Sequence, residues 1–396
     1  MATGNPINSW QSNNNIVSLQ IHKPTDNTVY LQYEGKKAEA EILLNKQIID
    51  YITTYPLLTT QGKNELKQLY FSDNLNALYS FLENEQIKGK VNLIYIDPPY
   101  ATQSVFQTHA QQDAYTDLLT GAAYFEFLRE RLILLRELLA PTGSIYVHLD
   151  SNAVFETKML MDEVFGAKNF RNLITRKKCN SKNYTRKSYG NISDYILFYT
   201  KTDNYTWNRP FDSWEQEKII KEFPCVEKET NRRYKKVPIH APGIRNGETG
   251  GEWRGMLPPK GKHWQYTPEK LDELDKKGEI YWSPTGNPRR KVYFDNSNGI
   301  PVQDIWTAYL DAYNQNVKVT GYPTEKNLSL LQRIIETSTN KNDLVLDCFC
   351  GSGTTLVAAD LLSRNWIGVD SSQNAIDTII QRLKEELIYD FSLHQT

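Results

Sequence analysis

The chain has 396 residues, a net charge of −1 and a hydrophobic fraction of 39%, which suffices for one large or two ordinary globular domains. It contains no apolar run long enough to cross a bilayer and no charged-then-apolar leader, so we expect neither a membrane protein nor a secreted one. Four cysteines, at 179, 225, 348 and 350, form neither a disulfide framework nor a paired C-x-x-C zinc site. These features predict a cytoplasmic, reduced protein without a metal site.

The first 60 residues are predicted to form an N-terminal extension. They begin with an Asn-rich stretch, and residues 29–36 follow with a pattern typical of a strand and a turn. No motif within residues 1–60 carries a chemistry that we can assign.

A short apolar run, residues 91–96, leads into Asp97, Pro98, Pro99 and Tyr100. The run predicts a buried strand, and the residues after it would lie at the carboxyl edge of an α/β sheet, where such sheets bind ligands. A carboxylate and a neighbouring carbonyl can accept both hydrogens of an exocyclic amine, two prolines stiffen the turn, and a Tyr ring can stack on a base. The motif is therefore predicted to hold an aminopurine or aminopyrimidine, with a polar turn that closes a buried strand as the alternative.

The segments that follow alternate between helical and strand patterns. Residues 122–139 have apolar side chains on one face of a helix, residues 144–149 form the next strand, and a helix over 153–165 and a strand over 194–200 continue the pattern. This alternation predicts an α/β fold. His148 has no second histidine at metal spacing and is interpreted as a structural residue of its strand.

The basic residues are concentrated in the middle of the chain. Residues 171–300 contain 26 Lys/Arg and 16 Asp/Glu, a net charge of +10, while the remaining residues contain 20 and 31, a net charge of −11. Salt screens charges beyond roughly 10 Å at 0.1 M ionic strength, so a basic region can bind DNA although the whole chain is nearly neutral. Six of the eight tryptophans, from Trp207 to Trp306, lie in or next to this region.

Residues 201–315 are accordingly predicted to form a target-recognition domain. Its turn-rich loops and basic runs supply candidate DNA-binding side chains, and a basic loop before it adds two more. The candidate DNA-binding residues are Lys177, Lys178, Arg232, Arg233, Arg254, Lys260, Lys262, Trp264, Arg289, Arg290 and Lys291. For any one of these charges, a solvated surface is the alternative.

A second motif lies near the other end of the chain. The strand pattern of residues 343–347 leads through Gly351 and Gly353 into a helical pattern after Thr354. The glycines permit positive φ and close approach of a ligand to bare backbone, and the helix offers free N–H groups to an anionic end. Residues 366–370 predict the next strand, whose last residue, an aspartate, is placed to take the two hydroxyls of a ribose.

The spacing of this loop argues against two kinds of nucleotide site. It has no Lys before Thr354, so it is not a P-loop, and it has no third glycine at the dinucleotide spacing, so a nicotinamide or flavin site fits poorly. A ligand with a ribose but no pyrophosphate fits better. S-adenosylmethionine has that structure and is the predicted cofactor.

Taken in order, these motifs resemble those of the permuted β group of DNA amino-methyltransferases, N6-adenine type, of restriction–modification systems. The matching segments are 73–75, 97–100, 322–326, 349–353 and Asp370. They span roughly residues 65–385, and the family often has Pro where this chain has Cys348 and Asn327, two positions that supply no chemistry.

The resemblance implies a fold and a domain order. The fold would be a doubly wound, mostly parallel, seven-stranded sheet of the Rossmann-like methyltransferase type. Residues 61–200 and 316–396 would form its two catalytic parts, with the recognition domain inserted between them. Double-stranded DNA is the implied partner. The family includes stand-alone enzymes and modification subunits of restriction complexes, and by analogy it allows a homodimer.

The resemblance also implies residue roles. Residues 97–100 would be catalytic and hold a flipped adenine. Asp370 would hold the ribose of the cofactor, and Phe349 and the backbone of residues 351–353 would hold its methionine side. Asp73 and Asn74 would lie near the cofactor, and Lys326 at its periphery. The full set of implied cofactor-binding residues is Asp73, Asn74, Pro323, Thr324, Lys326, Asp347, Phe349, Gly351, Gly353, Thr354 and Asp370.

Three alternatives stay open at this point. Methylation of cytosine at N4 needs the same geometry, although an Asp at the start of the 97–100 motif resembles the adenine enzymes more than the cytosine ones. Carbon-5 methylation would need a Cys nucleophile, and Cys225 follows a Pro, but no strand pattern presents it. A catalytically silent DNA-binding module is the alternative from a different class.

Overall fold

The computed structural model describes residues 29–45, 49–54, 66–99, 105–107, 113–116, 121–181, 187–311 and 325–396, with 105–107 and 113–116 described by their backbone alone. Tyr100, Pro323 and Thr324, three residues of the predicted site, lie outside the described residues.

The chain divides into two compact units. The sheet unit extends to residue 208 and resumes at residue 303, and the inserted unit consists of residues 209–302. The predicted recognition domain, 201–315, is wider than the inserted unit. The difference arises because the Asn208 backbone N–H donates to the Thr337 carbonyl at 2.7 Å and the strand Ile305–Trp306 pairs with Phe170–Lys177, all within the sheet unit.

Helices and strands alternate along most of the described chain. The helices are α1 (Glu39–Leu44), α2 (Asn74–Leu82), α3 (Gly121–Leu138), α4 (Val154–Met161), α5 (Gln216–Glu222), α6 (Pro268–Lys276), α7 (Leu328–Ser338), α8 (Thr354–Leu361) and α9 (Gln373–Glu385). The strands are β1 (Ile52–Thr54), β2 (Lys67–Phe71), β3 (Val91–Ile96), β4 (Val105–Gln107), β5 (Asp113–Thr116), β6 (Leu139–Leu149), β7 (Phe170–Lys177), β8 (Ser193–Thr200), β9 (Phe211–Asp212), β10 (Cys225–Val226), β11 (Arg233–Pro238), β12 (His240–Pro242), β13 (Lys262–Trp264), β14 (Ile280–Trp282), β15 (Pro288–Tyr293), β16 (Ile300–Pro301), β17 (Ile305–Trp306), β18 (Leu344–Asp347), β19 (Asn365–Asp370) and β20 (Ser392–Gln395).

The sheet unit is built on one large mixed sheet. Among the described residues its strand order is β1-β20-β2-β19-β18-β3-β6-β8-β7-β17. The run from β2 to β6 is parallel, and β8 is antiparallel to both β6 and β7. The predicted α/β fold of the Rossmann-like methyltransferase type is thus confirmed. The seven predicted strands correspond to β2, β19, β18, β3, β6, β8 and β7. Strands β1 and β20 extend the sheet at one edge, and β17 extends it at the other.

Helices cover both faces of this sheet, as a doubly wound fold requires. On one face, α3 buries an apolar stripe, including Leu128, Leu132 and Leu135, in a core shared with Ile94 of β3 and Val147 of β6. On the other face, α7 approaches β6, where the Ser338 and Tyr146 hydroxyls lie 2.8 Å apart. The alternation of side chains along each strand therefore sends its residues into two different helix layers.

The predicted strand within residues 29–36 is wrong. Residues 29–33 are irregular, a turn follows at Glu34 and Gly35, and α1 begins at Glu39. Side chains rather than a strand ladder hold the segment, since the Tyr33 hydroxyl donates to Glu126 and the Lys36 ammonium to Glu163, each at 2.7 Å.

The inserted unit has its own small core and sheet. Strands β10, β11, β15 and β14 form an antiparallel sheet, and β12 pairs with β13 as a hairpin. The core side chains are Ile239, Trp253, Trp264, Leu271, Leu274 and Ile280. Two tryptophans of the basic region thus serve to build this unit.

Two kinds of feature are absent from the described residues. Within that part of the chain no helix has the length and apolarity to cross a membrane. Across the same residues, no three His, Cys, Asp or Glu side chains group in a way that could hold a metal ion.

Candidate active site

A cavity of about 360 Å³ lies at the carboxyl ends of β3, β18 and β19. The predicted residues that line it are Asp73, Asn74, Asp97, Pro98, Pro99, Lys326, Asp347, Phe349, Gly351, Thr354 and Asp370. The structure therefore brings the two sequence motifs, separated by about 250 residues, to a single cavity. The sequence analysis did not single out Tyr95, Phe127, Thr355, Ser371 and Ser372, which also line it.

The glycine loop between β18 and α8 forms one wall of the cavity. Gly351 and Gly353 have φ angles of +48° and +72°, which glycine adopts without strain. A Cβ on Gly353 would lie 2.8 Å from Ile379 Cγ1, so only glycine fits there. From behind the loop, the Arg382 guanidinium donates to the Ser352 carbonyl at 3.3 Å and to the Thr354 hydroxyl at 2.9 Å. Arg382 is a supporting residue that the sequence analysis missed.

Asp370 ends β19 with its carboxylate held by backbone groups. The Gly351 N–H donates to it at 2.8 Å and the Ser372 N–H at 2.9 Å. Burial raises the pKa of the Asp370 carboxyl to about 6, and these backbone hydrogen bonds oppose the rise. Asp370 is thus fixed against the glycine loop.

Asp347 ends β18 and is buried, with 2% of its surface exposed. The pKa of its carboxyl is raised to about 7, mainly by burial and in smaller part by the negative charges of Asp97 and Asp370. The Thr355 hydroxyl donates to this carboxyl at 2.6 Å and the Phe349 N–H at 3.0 Å, which limits the rise. Four carboxyl groups, those of Asp73, Asp97, Asp347 and Asp370, therefore line one cavity beside the Lys326 ammonium, and this excess of acidic groups favours a cationic ligand.

Asp97 forms an ion pair with Lys326. The Lys326 Nζ lies 2.6 Å from Asp97 Oδ2, and the two side chains are 11% and 18% exposed. Lys326 stands two residues before α7, whose first turn is capped by the Asn327 side chain, which accepts from the Ser329 and Leu330 N–H groups. The prediction placed Lys326 at the periphery of the cofactor, and in the structure its ammonium contacts the catalytic candidate itself.

The first turn of α2 forms the opposite wall. The Asp73 carboxylate caps the helix by accepting from the backbone N–H of residues 75 and 76, and Asn74 Nδ2 donates to the Cys348 carbonyl at 2.8 Å. The Arg131 Nε donates to Asn74 Oδ1 at 2.6 Å, and the Arg131 guanidinium lies 3.6 Å from the centre of the Phe127 ring. Arg131 and Phe127 lie one turn apart on α3, a helix from which the sequence analysis used only the apolar positions.

The two cysteines of the loop are poor nucleophiles. Burial raises the pKa values of the Cys348 and Cys350 thiols above their ordinary range, and the Cys350 thiol donates to the Val369 carbonyl at 3.1 Å. Because the thiolate is the reactive form, neither cysteine is set up for covalent chemistry.

Many basic residues of the inserted unit are paired with acids. Ion pairs join Arg232 to Asp295 at 2.5 Å, Lys291 to Glu227 at 2.8 Å, and Arg254 to both Asp272 and Asp275, at 2.8 and 2.5 Å. Much of the local positive charge is therefore balanced within the unit.

The other candidate DNA-binding residues differ in exposure. Lys260, Lys262 and Arg289 are exposed, whereas Lys177, Lys178, Arg233 and Arg290 are half-buried. Trp264 is 3% exposed, and its indole N–H donates to the Gly251 carbonyl at 2.9 Å. As a correction to the predicted set, Trp264 is a core residue, because it packs edge-on against Trp253.

Comparison with known proteins identifies the class of this site. The family described as DNA methylase matches residues 91–382, so the chain belongs to the DNA methylase family. That family includes both N6-adenine and N4-cytosine enzymes, and S-adenosylmethionine is its methyl donor. The predicted resemblance and the predicted cofactor are confirmed.

Individual relatives come from restriction–modification systems. The chain is 49% identical to the type II methyltransferase M.EcaI of Enterobacter cloacae over 91% of its own length and 78% of that protein. It is 30% identical to the Mod subunit of the type III enzyme StyLTI of Salmonella typhimurium, over 76% of this chain and 51% of the subunit. Among solved structures, the M1.HpyAVI–SAM complex aligns with a TM-score of 0.42 and 19% identity, over 80% of this chain and 99% of that one.

Proposed function

We propose that this protein transfers a methyl group from S-adenosylmethionine to the N6 amine of an adenine flipped out of double-stranded DNA, by direct displacement. One observation carries the proposal. The Asp97-Pro98-Pro99 turn at the end of β3 lines the same cavity as the glycine loop and Asp370. The turn can hold an exocyclic amine, and the glycine loop with Asp370 can hold a nucleoside that has a cationic tail. Both ligands would therefore lie in the same cavity.

The residues present fit this cofactor. Asp97, Asp347 and Asp370 give the cavity a negative potential, and S-adenosylmethionine carries a sulfonium and an ammonium. Gly351 and Gly353 leave bare backbone beside the N-terminus of α8, where N–H groups can receive a carboxylate. When bound, the cofactor supplies an electrophilic methyl group on a positively charged sulfur. Asp370 would take the ribose and Asn74 the neighbouring wall.

The flipped base would be held by the 97–100 turn. The Asp97 carboxylate and the Pro98 carbonyl would accept the two amine hydrogens and turn the nitrogen lone pair toward the methyl group. Lys326 orients the carboxylate through the 2.6 Å ion pair. We propose that Tyr100 stacks on the ring, which contributes roughly 1–3 kcal/mol per base, against a flipping cost of a few kcal/mol. Positioning is the main catalytic contribution.

The inserted unit is proposed to read the DNA sequence. It contains most of the basic region, and Lys260, Lys262 and Arg289 are exposed for phosphate contacts. The relatives belong to restriction–modification systems, so we propose the same setting for this chain, in the cytoplasm. A restriction subunit or a second copy of the chain are the partners proposed by analogy.

The base and the activity can be tested together. DNA from a host without its own methylases that expresses this protein should contain N6-methyladenine after digestion to nucleosides. Methylcytosine without N6-methyladenine would assign the enzyme to the N4-cytosine branch instead. The Asp97→Ala variant should bind labelled S-adenosylmethionine but transfer no methyl group. A wild-type protein that binds DNA and methylates neither base would support the silent DNA-binding module.

A further inference from the structure

A row of buried polar side chains crosses one face of the sheet next to the cavity. It consists of Tyr95 on β3, His148 on β6, Asp194 on β8 and Arg176 on β7, each at most 3% exposed. The Tyr95 hydroxyl lies 2.8 Å from His148 Nδ1, and His148 Nε2 lies 3.0 Å from Asp194 Oδ2. Asp194 Oδ2 also accepts from the Arg176 guanidinium at 2.9 Å. We call these four residues the polar row.

The polar row opens into the cavity at one end. Tyr95 lines the cavity together with Asp97, which follows it by two residues, just beyond the end of β3. Lys326, the ion-pair partner of Asp97, also acts electrostatically on Asp194. The row and the amine-holding carboxylate therefore belong to one connected set of groups.

Charges within the row keep Asp194 ionised and thereby select the tautomer of His148. Burial alone would raise the pKa of the Asp194 carboxyl, but His148, Arg176 and Lys326 hold it below its ordinary value. An ionised Asp194 beside Nε2 favours the tautomer with the proton on Nε2, which leaves Nδ1 to accept from the Tyr95 hydroxyl. Burial raises the pKa of Tyr95 well above 10, so this hydroxyl stays protonated.

The far end of the row is also fixed. Arg176 donates to the Asp311 carboxylate and to the Tyr309 carbonyl, each at 2.7 Å. The charged and titratable groups around His148 are therefore Tyr95 on β3, Asp194 on β8, Arg176 on β7 with Asp311 beyond it, and Lys326 with Asp97 toward the cavity. With Tyr95 neutral, these groups carry three negative charges and two positive ones, a net charge of −1 that one additional proton on His148 would compensate.

We propose that Tyr95, His148 and Asp194 take away the proton that the target amine loses on methylation, an inference that rests on the proposed function. As the new N–C bond forms, the S–C bond breaks and its electron pair leaves with sulfur. In the same step the amine nitrogen gives up its excess proton. That proton passes to the Tyr95 oxygen while the proton of Tyr95 passes to His148 Nδ1. Tyr95 stays neutral, and His148 becomes an imidazolium beside Asp194.

The ion pair at Asp97 explains why a separate acceptor is useful. A proton left on Asp97 would neutralise the carboxylate that Lys326 holds at 2.6 Å and would leave a partly buried ammonium without its counter-charge. Moving the proton to His148 keeps that ion pair intact. Tyr95 touches the reacting group in this scheme, whereas His148 and Asp194 act through it.

The experiment measures single-turnover methyl transfer to a DNA substrate from pH 5.5 to 9, in water and in heavy water. Tyr95→Phe and His148→Gln should each lower the rate by roughly 10²-fold, at the lower end of general acid–base effects. Both should also flatten the fall in rate at acid pH and remove the solvent isotope effect, with S-adenosylmethionine affinity unchanged. Tyr146→Phe is the matched control, since Tyr146 is buried on the next strand and its hydroxyl bonds to Ser338 at 2.8 Å.

Several results would overturn the inference. They are a Tyr95→Phe variant with the wild-type rate and pH profile, and a Tyr146→Phe variant with the same defects as the Tyr95 variant. If thermal melting shows that the buried variants do not fold, the test is the solvent isotope effect of the wild-type enzyme. A ratio of one between the rates in water and heavy water would refute proton transfer through the polar row. Failure of the proposed function looks different, since the wild-type protein would then methylate no adenine at all.

Discussion

Replacing Lys326 by methionine is expected to slow methyl transfer by about 10- to 150-fold. A hydrogen bond to a charged group contributes roughly 1.5–3 kcal/mol, and the Lys326–Asp97 pair has a 2.6 Å contact with both side chains less than one fifth exposed. Each 1.36 kcal/mol of transition-state stabilisation corresponds to a factor of about ten in rate. If the ion pair orients the Asp97 carboxylate that is proposed to hold the amine, the whole free energy of this hydrogen bond is lost from the transition state when Lys326 is replaced, and the methyl-transfer rate falls by the corresponding factor.

The assay is single-turnover transfer of a labelled methyl group to DNA, with the cofactor dissociation constant measured separately. Lys36→Met is the matched control, because Lys36 pairs with Glu163 at 2.7 Å with side chains 10% and 21% exposed, outside the cavity lining. It should lower stability to a similar degree and leave the rate unchanged. A Lys326→Met enzyme within twofold of the wild-type rate, or a Lys36→Met enzyme equally slow, would refute the reasoning.

Three further predictions concern the glycine loop, the buried carboxyl groups of the cavity, and Cys225 of the inserted unit. Gly353→Ala should lower the free energy of unfolding by about 1–3 kcal/mol in urea titrations and weaken cofactor binding, since φ is +72° and the new Cβ meets Ile379 at 2.8 Å. Gly286→Ala is the control, because Gly286 has a φ of +78° and no atom within 4 Å of the added Cβ. It should show the cost of backbone strain alone and bind the cofactor normally. Cofactor affinity should fall between pH 8 and 5.5 in calorimetry, because Asp347 and Asp370, with pKa values of about 7 and 6, lose their negative charge. Both pKa values are higher in the folded protein than in the unfolded chain, so the free energy of unfolding of the unliganded protein should rise as the pH falls from 8 to 5.5. If cofactor affinity and stability both fell over this range, the pH dependence of affinity could not be attributed to these two carboxyl groups. Cys225→Ser should retain full methyl transfer, and a loss of activity would reopen the carbon-5 mechanism.

The parts of the fold that were predictable share a strong local signal. The strands β3 and β19 were recognised because each is a short apolar run with an aspartate at its carboxyl end, Asp97 directly after β3 and Asp370 as the last residue of β19. The edge strands β1 and β17 were not, since Ile52–Thr54 pairs with residues almost at the other end of the chain and Ile305–Trp306 is only two residues long. Non-local pairing of such short segments leaves no periodicity to read.

The cavity residues were predictable where they belong to the 97–100 motif or the glycine loop. The residues that hold these segments in place were harder to predict, because they come from helices distant in sequence. Arg382 and Arg131 hold the cavity walls from helices whose polar positions look like ordinary solvent-facing residues. Charge runs were informative about the region but not about each residue. Lys291 is an example, because its partner Glu227 lies 64 residues away in sequence. Residue-level DNA contacts therefore cannot be derived from charge counts.

The short ladder between β9 and β16 has a consequence for how specificity can change. Asp212 pairs with Ile300 and Phe211 with Pro301, and the Val302 N–H donates to the Pro210 carbonyl at 3.1 Å. The two ends of the inserted unit are thereby fastened side by side, whatever lies between them. If the inserted unit reads the DNA sequence as proposed, a segment anchored in this way can be exchanged, lengthened or shortened as a cassette, and new sequence preferences can evolve without disturbing the methylation chemistry.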